Sequence, residues 1–310
     1  RGPLLKTIEQ IAESFKPWNP GTELTVGLFS SVVPEFDERA FREALVNAFG
    51  HRDYSLLGRV RVLVDDAGLT IANPGGFVEG INVHNLLTAE PRGRNPCLMD
   101  ALKRTGLAER TGRGIDRIFE GALNYGRPLP DYSRSNRRGV SVLLPRSVPD
   151  KAFVELLAEE RERSGKSMSL DGLLILDKLK SERRCGFDVL SGSLDMSDQR
   201  LRTVLGQLTE AGLVESAGVG ARRTYMLGAK VYRRSGRAME YVRQSDIDRV
   251  RYPELIIELM HEQKSVSKND VMELLHLEEN QAYYQLRKLV LEGRAKKVGS
   301  GRNVRYAAVR

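Results

Sequence analysis

The chain has 310 residues, enough for two or three domains, and its 41% hydrophobic and 29% charged residues exclude wholesale disorder. No apolar run reaches the roughly 18 residues of a membrane span, and the isolated Cys97 and Cys185 argue against disulfides and structural zinc and fit a reducing cytoplasm. Residues 1–150 carry 20 Lys and Arg against 18 Asp and Glu, whereas residues 151–310 carry 29 against 23, so the net charge of +8 lies mostly in the second half. Because the chain begins Arg1-Gly2-Pro3 without an initiator methionine, we expect that further residues precede it.

The first half alternates short strands and helices. Val60, Val62 and Val64 alternate with polar residues, which predicts a strand with one buried face, and the turn at 66–68 leads into a second strand. The predicted strands are Glu23–Val33, Arg59–Asp65, Leu69–Asn73 and Gly139–Pro145, and the predicted helices are Asp37–Phe49, Asn95–Thr105 and Gly112–Tyr125. This order predicts an α+β domain in which helices cover one face of a mixed sheet.

Three short segments of this half carry residues that can bind a ligand or take part in catalysis. On the first predicted helix Glu43, Asn47 and His51 are spaced at one-turn intervals and share a face. A carboxylate and a carboxamide in that arrangement can polarise water and hold a magnesium ion. In the second segment Gly75 and Gly76 follow Asn73, and a backbone without side chains can approach a ligand closely.

The third segment, Thr111-Gly112-Arg113-Gly114, runs directly into a predicted helix. Backbone N–H groups at such a helix start can bind an anion, most naturally a phosphate. Taken singly, each of the three segments is also compatible with an ordinary turn or a solvated helix face.

In order and combination, the segments 42–48, 51–55, 73–76 and 111–115 resemble the GHKL-type (histidine kinase-like) ATPase domain of the RecG-like C-terminal class, found in bacterial transcriptional regulators and labelled ATP-dependent DNA helicase RecG-related. The resemblance covers about residues 20–146 and implies a GHKL-like α/β sandwich with a mixed sheet. Members of the family often carry a Schlafen-like AlbA domain ahead of this domain and winged helices behind it.

The resemblance implies ATP and Mg²⁺ as cofactors. It makes Glu43 the general base and Asn47 the magnesium ligand. Asn73 stands where the class normally holds an aspartate that accepts from the adenine amino group; its carbonyl can also accept, but it brings no charge. The nucleotide-binding set that the resemblance implies is Asn47, His51, Asn73, Gly75, Gly76, Thr111, Gly112, Arg113 and Gly114.

The second half contains an internal repeat with an offset of 81 residues. It superposes Leu205, Leu208, Gly212, Gly218, Gly220 and Tyr225 on Leu286, Leu289, Gly293, Gly299, Gly301 and Tyr306. Each copy reads as an apolar helix, a short helix, a longer helix that ends at a glycine, and two strands around Gly-x-Gly. The helices are predicted at 170–180, 187–191 and 197–208 in the first copy and at 253–262, 268–275 and 278–292 in the second.

This pattern resembles the winged helix-turn-helix of bacterial regulators, over about residues 165–230 and 250–308. In that family the third helix enters the major groove of double-stranded DNA and the basic wing contacts its backbone. The residues that the resemblance assigns to DNA are Ser197, Gln199, Arg200, Arg202, Arg222, Arg223, Asn280, Gln281, Tyr284, Gln285, Arg287, Arg302 and Arg305. Winged helices can instead dock proteins, so that alternative stays open.

The sequence therefore predicts a DNA-binding transcriptional regulator with an ATP-binding domain, two winged helices and a potential to form homodimers, without a membrane partner. The alternative is an active ATPase whose winged helices dock nucleic acid or protein in a larger machine. A helicase motor is not indicated, because Glu160 stands where the loop ending in Gly165-Lys166-Ser167 needs its first glycine. The predicted domains are 1–148, a charged linker 149–167, winged helices 168–232 and 252–310, and a linker 233–251.

Overall fold

The computed structural model describes residues 3–26, 29–108, 112–218, 220, 223–234, 252–275, 277–299 and 304–309. The chain forms two compact units, residues 1–177 with 190–204 and residues 178–189 with 205–310. The helices are α1 Leu4–Phe15, α2 Glu38–Gly50, α3 Pro96–Arg104, α4 Gly114–Leu123, α5 Lys151–Ser164, α6 Leu170–Glu182, α7 Phe187–Leu194, α8 Asp198–Glu210, α9 Ala229–Arg234, α10 Tyr252–Gln263, α11 Lys268–Leu275 and α12 Glu279–Leu291. The strands are β1 Gly21–Val26, β2 Phe29–Pro34, β3 Arg61–Asp65, β4 Gly68–Pro74, β5 Gly139–Pro145, β6 Arg184–Gly186, β7 Val214–Ala217, β8 Thr224–Leu227, β9 Ala295–Val298 and β10 Arg305–Ala308. None of these helices is long and apolar enough to cross a membrane.

Helix α2 is the central element of the first unit. The Asp37 carboxylate starts it by accepting from the N–H groups of Arg39 and Ala40, both at 2.9 Å. The helix contacts α3, α4 and strand β4, and Phe41 on it stacks on Phe15 of α1. Its buried residues are Ala40, Phe41, Glu43, Ala44, Leu45, Val46, Ala48 and Gly50. A helix buried on most of its circumference is a core element, so Glu43 lies deep in the unit, whereas Glu38, Arg39 and Arg42 are exposed.

Strand β4 places one polar side chain on an otherwise apolar face. It is the middle strand of an antiparallel sheet of order β3-β4-β5. Leu69, Ile71 and Asn73 are buried, and because side chains alternate along a strand, all three point to the same face. Asn73 is therefore the position at which the apolar face of the sheet becomes polar, next to helix α2.

Two predictions for the sheets were wrong. The predicted mixed sheet is absent from the described residues, where every pair of strands is antiparallel and one isolated parallel bridge joins Gly75 to Gly139. The two-residue turn between β3 and β4 forces them to run antiparallel, and β5 pairs antiparallel on the other side of β4. The predicted strand Glu23–Val33 is two strands, β1 and β2, paired as a hairpin.

The repeat in the second half is confirmed as a repeat of secondary structure. Shifting α7, α8, β7 and β8 by 81 residues gives the bounds of α11, α12, β9 and β10. Strand β6 is a third strand that we did not predict, and its pair Cys185–Tyr225 recurs 81 residues later as the bridge between Val266 and Tyr306. Gly212 and Gly293 have φ values of 68° and 69°, as predicted for residues that end helices. Both copies therefore have three helices followed by an antiparallel hairpin.

The Gly165-Lys166-Ser167 string has a structural explanation. Gly165 ends helix α5 in the left-handed conformation, with a φ of 69°, and its N–H donates to the carbonyl of Arg161 at 2.9 Å. A phosphate-binding loop would instead lead from a strand into a helix. The string therefore lies at a helix end.

Candidate functional site

A cavity of about 240 Å³ opens in the first unit, between helix α2, strands β4 and β5, and the start of α4. This volume is just below the range of about 300–1,000 Å³ that is usual for small-molecule pockets. The predicted residues that line it are Glu43, Asn47, His51, Asn73, Gly76, Gly112 and Gly114. The fold thus brings together residues from all three segments that the sequence singled out.

Three predicted residues do not line the cavity or cannot be placed. Gly75 does not line the cavity. It packs against Asp53, since a Cβ atom on Gly75 would lie 2.6 Å from Asp53 Cβ. Arg113 turns along its own helix, with Nε 3.3 Å from Asp116 Oδ2 and Nη2 3.2 Å from Glu120 Oε1. Thr111 lies outside the described residues.

Glu43, Asn47 and Gly114 form a tight group at one end of the cavity. Glu43 is only 1% exposed, and its Oε1 accepts from Arg117 Nη1 at 3.2 Å. A Cβ atom on Gly114 would lie 3.0 Å from Glu43 Oε2 and 3.6 Å from Asn47 Nδ2. The first turn of α4 can approach the two polar side chains this closely because residue 114 has no side chain.

Asn73 lies among the apolar walls of the cavity. Its Nδ2 donates to the carbonyl oxygen of Pro74 at 3.1 Å. This bond fixes the orientation of the carboxamide, so Oδ1 is the atom of this side chain that can accept a hydrogen bond from a ligand. Ile71, Val140 and Val142 are its neighbours in the lining.

The glycines after Asn73 are held by a polar clamp that the sequence did not reveal. Arg94 Nη2 donates to the carbonyl oxygen of Gly76 at 2.9 Å, and Arg94 Nη1 lies 3.5 Å from Asp53 Oδ2. The N–H of Asp53 donates to the carbonyl of Pro74 at 2.8 Å. This clamp joins the loop after α2 to the end of β4, which fixes one edge of the cavity.

Most of the apolar lining could not be predicted from the sequence. Burial raises the pKa of Tyr132, whose ring lies beside those of Phe77 and Phe119. The remaining unpredicted lining residues include Val78, Ile81, Leu86, Leu87, Ala89, Pro91, Met99, Ala108 and Ile118, with Arg92 and Lys103 as cations. Many of them belong to residues 75–95, called here the 75–95 segment, which has few regular elements and therefore gave no periodic signal.

The 75–95 segment also contacts the turn before helix α8. Thr88 Oγ1 donates to Asp195 Oδ2 at 2.7 Å. Asp195 lies between α7 and α8 and has a positive φ of 49°, a conformation that aspartate adopts more readily than most residues. The 75–95 segment, which forms one wall of the cavity, is thereby bonded to the residues that lead into helix α8.

His51 ends helix α2, where its N–H donates to the carbonyl of Asn47 at 2.8 Å. Burial, and to a smaller extent the charge of Arg94, lowers the pKa of His51 below its ordinary value of 6.5. The unfolded chain therefore takes up a proton on this residue at a higher pH than the folded chain does.

We expect the stability of the protein to decrease as the pH falls below about 6.5, because the unfolded state then binds a proton that the folded state excludes. Above that pH the contribution of His51 is fully present. Urea unfolding at pH 5.5, 6.5 and 7.5 measures the effect, and His51→Gln should flatten the pH dependence. His84 is exposed, so His84→Gln is the matched control; an equal flattening in both variants would contradict the assignment to His51.

The described residues contain no group of three or more His, Cys, Asp or Glu side chains that could hold a metal ion by themselves. Magnesium in nucleotide sites takes only one or two protein ligands and completes its shell with phosphates and water. Glu43 and Asn47 at the cavity wall are oxygen-bearing side chains of the type that Mg²⁺ prefers, so this donor set fits magnesium only together with a phosphate ligand.

The candidate DNA residues of the first repeat copy lie on an exposed surface. Gln199, Arg200 and Arg202 are exposed on α8. Arg200 pairs with both oxygens of Asp171, with Nη2 2.7 Å from Oδ1, and this pairing raises the pKa of Arg200. Arg202 Nη2 lies 3.3 Å from Asp198 Oδ2. Both arginines therefore have carboxylate partners within the chain.

In the hairpin of this copy Arg223 is exposed, whereas Arg222 lies outside the described residues. The hairpin of the second copy differs, because Arg305 is bonded within that copy: its Nε donates to Ser265 Oγ at 2.9 Å and Nη2 to Ser265 O at 2.7 Å. Arg302 lies outside the described residues.

On helix α12, Asn280 and Gln281 are exposed and Gln285 is half-buried. Gln281 Oε1 accepts from the N–H of Glu278 at 3.1 Å, so this side chain caps the helix start. Two further exposed residues, Tyr284 and Arg287, follow Asn280 at one-turn spacing and extend its face of the helix.

Comparison with known proteins supports an ATPase-like domain within the first unit. Residues 58–144 match the family described as "Putative ATP-dependent DNA helicase recG C-terminal". Helix α2, which carries Glu43 and Asn47, lies outside the matched range, whereas Asn73 and Gly112–Gly114 lie within it. No curated protein matches the chain.

The chain also resembles a solved structure, the crystal structure of the DIP2311 protein from Corynebacterium diphtheriae. The TM-score is 0.63 and the sequence identity is 22%, so the likeness concerns the fold alone. It covers 99% of this chain and 54% of that protein, so the chain spans about half of its length. The stretch from residue 58 to residue 144 is thus similar to the RecG C-terminal family, and the fold of the chain is similar to about half of the DIP2311 structure.

Proposed function

We propose that the cavity binds an adenine nucleotide together with Mg²⁺. The observation that carries the proposal is the gathering of Glu43 and Asn47, Asn73, and Gly112 and Gly114 around one cavity, although they come from three distant segments. Polar groups at both ends and apolar walls between them suit a ligand with a flat apolar body, a hydrogen-bonding edge and an anionic tail.

The base end of the ligand lies against strands β4 and β5 in this proposal. Asn73 Oδ1 accepts from the amino group of the base, and Ile71, Val140 and Val142 exclude water from its faces. The residue is neutral, so it selects for a donor on the base without the charge that an aspartate would add. A base with a carbonyl at this position would place a second acceptor against Asn73 Oδ1, and two acceptors form no hydrogen bond with each other.

The phosphate end of the ligand lies at the start of α4. Gly112 and Gly114 leave room for phosphate oxygens beside the N–H groups of the first turn, which have no partners within the helix. Asp116 lines the cavity in that turn with its charge shared with Arg113, at 3.3 Å. Asn47 holds the magnesium ion, which when bound neutralises phosphate charge, and Glu43 orients water at the same end.

We further propose that the two repeat copies are winged helices that bind double-stranded DNA. The support is their common topology of three helices and a hairpin, and the exposed polar faces of α8 and α12. Arg223, Arg287, Lys296 and Lys297 are exposed and form no ion pair within the described residues, so they can neutralise phosphates. Because Arg200, Arg202 and Arg305 have partners within the chain, these four cations are the stronger candidates for backbone contacts.

The whole chain is then a homodimeric transcription regulator that responds to nucleotide. Its proposed domains are residues 1–148 and the winged helices at 168–232 and 252–310, joined by segments at 149–167 and 233–251. A second candidate function is ATP hydrolysis within a larger machine. The buried Glu43 carboxylate at the cavity favours it, since the base of a hydrolytic ATPase occupies such a position.

Calorimetric titration of the whole chain with ATP, with and without Mg²⁺, tests the nucleotide site. We expect binding that Mg²⁺ strengthens, and we expect Asn47→Ala to remove the magnesium dependence while Asn124→Ala, on an exposed residue at the end of α4, leaves it unchanged. No binding at millimolar ATP would contradict the proposal. Phosphate release that Glu43→Gln abolishes would favour the hydrolytic alternative, and its absence in the unchanged chain would favour the regulator.

A further inference from the structure

Strand β3 is an open edge of the sheet. In the order β3-β4-β5 it pairs with β4 on one side, and within the described residues no strand pairs on its other side. An edge strand presents a row of unpaired N–H and C=O groups, which another strand can use. Natural sheets often block such edges with a proline, a bulge or a covering element. Residues 61–65 contain neither a proline nor a bulge.

The open edge borders an apolar groove. A cavity of about 430 Å³ lies between β3 and the first helix of the chain. Leu63 is 45% exposed, and Trp18 on the opposite wall is 65% exposed. The groove is lined by Thr7, Gln10, Ile11, Ser14, Phe15, Trp18, Val62, Leu63 and Val64. Apolar surface of this kind is stabilised by a partner that removes it from water.

The sequence of β3 is complementary to itself in the antiparallel direction. When two copies pair around Leu63, Arg61 of each copy lies opposite Asp65 of the other, and Val62 lies opposite Val64. Arg61, Leu63 and Asp65 are all exposed and alternate along the strand, so they share one face. Asp65 Oδ1 accepts from the N–H groups of Ala67 and Gly68, which leaves Oδ2 for the arginine of the second copy.

We propose that β3 is the interface of a homodimer, in which two copies pair their β3 strands antiparallel around a two-fold axis at Leu63. The three-stranded sheets join into one six-stranded sheet, with two Arg61–Asp65 pairs flanking the Leu63 pair. A two-fold axis requires each contact to occur twice, and this register satisfies that requirement. The inference deepens the proposed homodimer and is independent of nucleotide and DNA binding, so its failure and theirs are distinguishable.

Sedimentation equilibrium of the whole chain tests the interface by charge reversal. We expect Arg61→Asp alone and Asp65→Arg alone each to raise the dimer dissociation constant at least about tenfold, since like charges then face each other twice. An equimolar mixture of the two variants should recover dimers. In the mixed dimer one pair is native, and the other joins the introduced aspartate to the introduced arginine.

Two further variants separate the interface from the fold of the hairpin. Asp65→Asn keeps the oxygen that accepts from Ala67 and Gly68 and removes only the charge, so it should weaken the dimer less than Asp65→Arg. The chain that carries both Arg61→Asp and Asp65→Arg restores complementarity and should dimerise again. A chain that is monomeric at 100 µM, dimers that neither single variant weakens, or a mixture of folded variants that stays monomeric would each overturn the proposal.

Discussion

The Gly114→Val variant is expected to bind nucleotide at least about a hundredfold more weakly than the unchanged chain, which corresponds to about 2.8 kcal/mol. A Cβ atom added at this position would lie 3.0 Å from Glu43 Oε2, and valine adds two γ carbons to that Cβ atom at the same end of the cavity. They occupy the room beside the first N–H groups of α4 that the proposal assigns to phosphate. Calorimetric titration with Mg²⁺ and ATP measures the loss, and Gly114→Ala should give an intermediate value.

Gly121 in the same helix offers a matched control. A Cβ atom there would lie 2.6 Å from Ala40 Cβ and 2.9 Å from Asp37 Cβ, so Gly121→Ala strains the packing of α4 on α2 without adding atoms to the cavity. Overpacking of this kind costs about 1–3 kcal/mol of stability. We expect this variant to keep its nucleotide affinity below its melting temperature. Equal losses of affinity in both variants would assign the effect to helix packing and contradict the phosphate site.

Binding to random-sequence duplex DNA is expected to fall about a hundredfold between 50 and 200 mM salt, if Arg223, Arg287, Lys296 and Lys297 each neutralise one phosphate. Each neutralised phosphate releases counterions and adds about 0.9 to the log–log slope. All four side chains are exposed and without ion pairs in the described part of the chain, so no internal bond must break before they reach DNA. Filter-binding titrations at several salt concentrations give the slope.

Alanine at all four positions should lower the slope by up to about 3.6 and weaken binding to every sequence alike. The control removes the same charge elsewhere, with alanine at Lys6, Lys16, Arg39 and Arg104, which are exposed in the first unit. Affinity that does not change with salt, or an equal change in both fourfold variants, would contradict DNA contact by helix α12 and the hairpins. The repeat copies would then be better explained as protein-docking modules.

The main helices and the hairpins of the two repeat copies could be predicted from the sequence, because local signals repeat there. Apolar spacing defines the helices, and Gly212 and Gly293 end them with the positive φ that the pattern required. The third strand of each copy escaped prediction because it is short: β6 has three residues and bonds to a strand about 40 residues later, and its counterpart is the single bridge of Val266. Neither has a length over which alternation can be recognised.

In the first half the errors concern pairings between distant residues. Alternation predicted that 59–65, 69–73 and 139–145 are strands, but not that all of them pair antiparallel. Helix α1 was missed although Leu4, Ile8, Ile11 and Phe15 follow helical spacing, and Ile8 and Phe15 are buried. The strand direction depends on how the chain returns to the sheet, which residue spacing does not encode.

In the candidate site, too, local spacing could be predicted from the sequence and contacts between distant residues could not. The spacing of Glu43 and Asn47 predicted a shared helix face, and the structure places both at one cavity with Asn73 and Gly114. The partners that hold this group could not be predicted: Arg117 contacts Glu43 across 74 residues, and Arg94 contacts Gly76 across 18. A lone arginine in a sequence has no feature that distinguishes an internal partner from a solvated charge.

The hydrogen bond between Thr88 and Asp195 couples the cavity wall to the residues before helix α8, so a displacement of one changes the energy of the other. A ligand that moves the 75–95 segment must either carry Asp195 with it or break this bond. If the chain binds both nucleotide and DNA as proposed, linkage is reciprocal: the factor by which nucleotide changes the affinity for DNA equals the factor by which DNA changes the affinity for nucleotide. An exposed hydrogen bond from a hydroxyl to a carboxylate, of about 1.5 kcal/mol, limits that factor to roughly tenfold, so this contact alone suits graded adjustment of the proposed regulator and falls far short of an on–off switch.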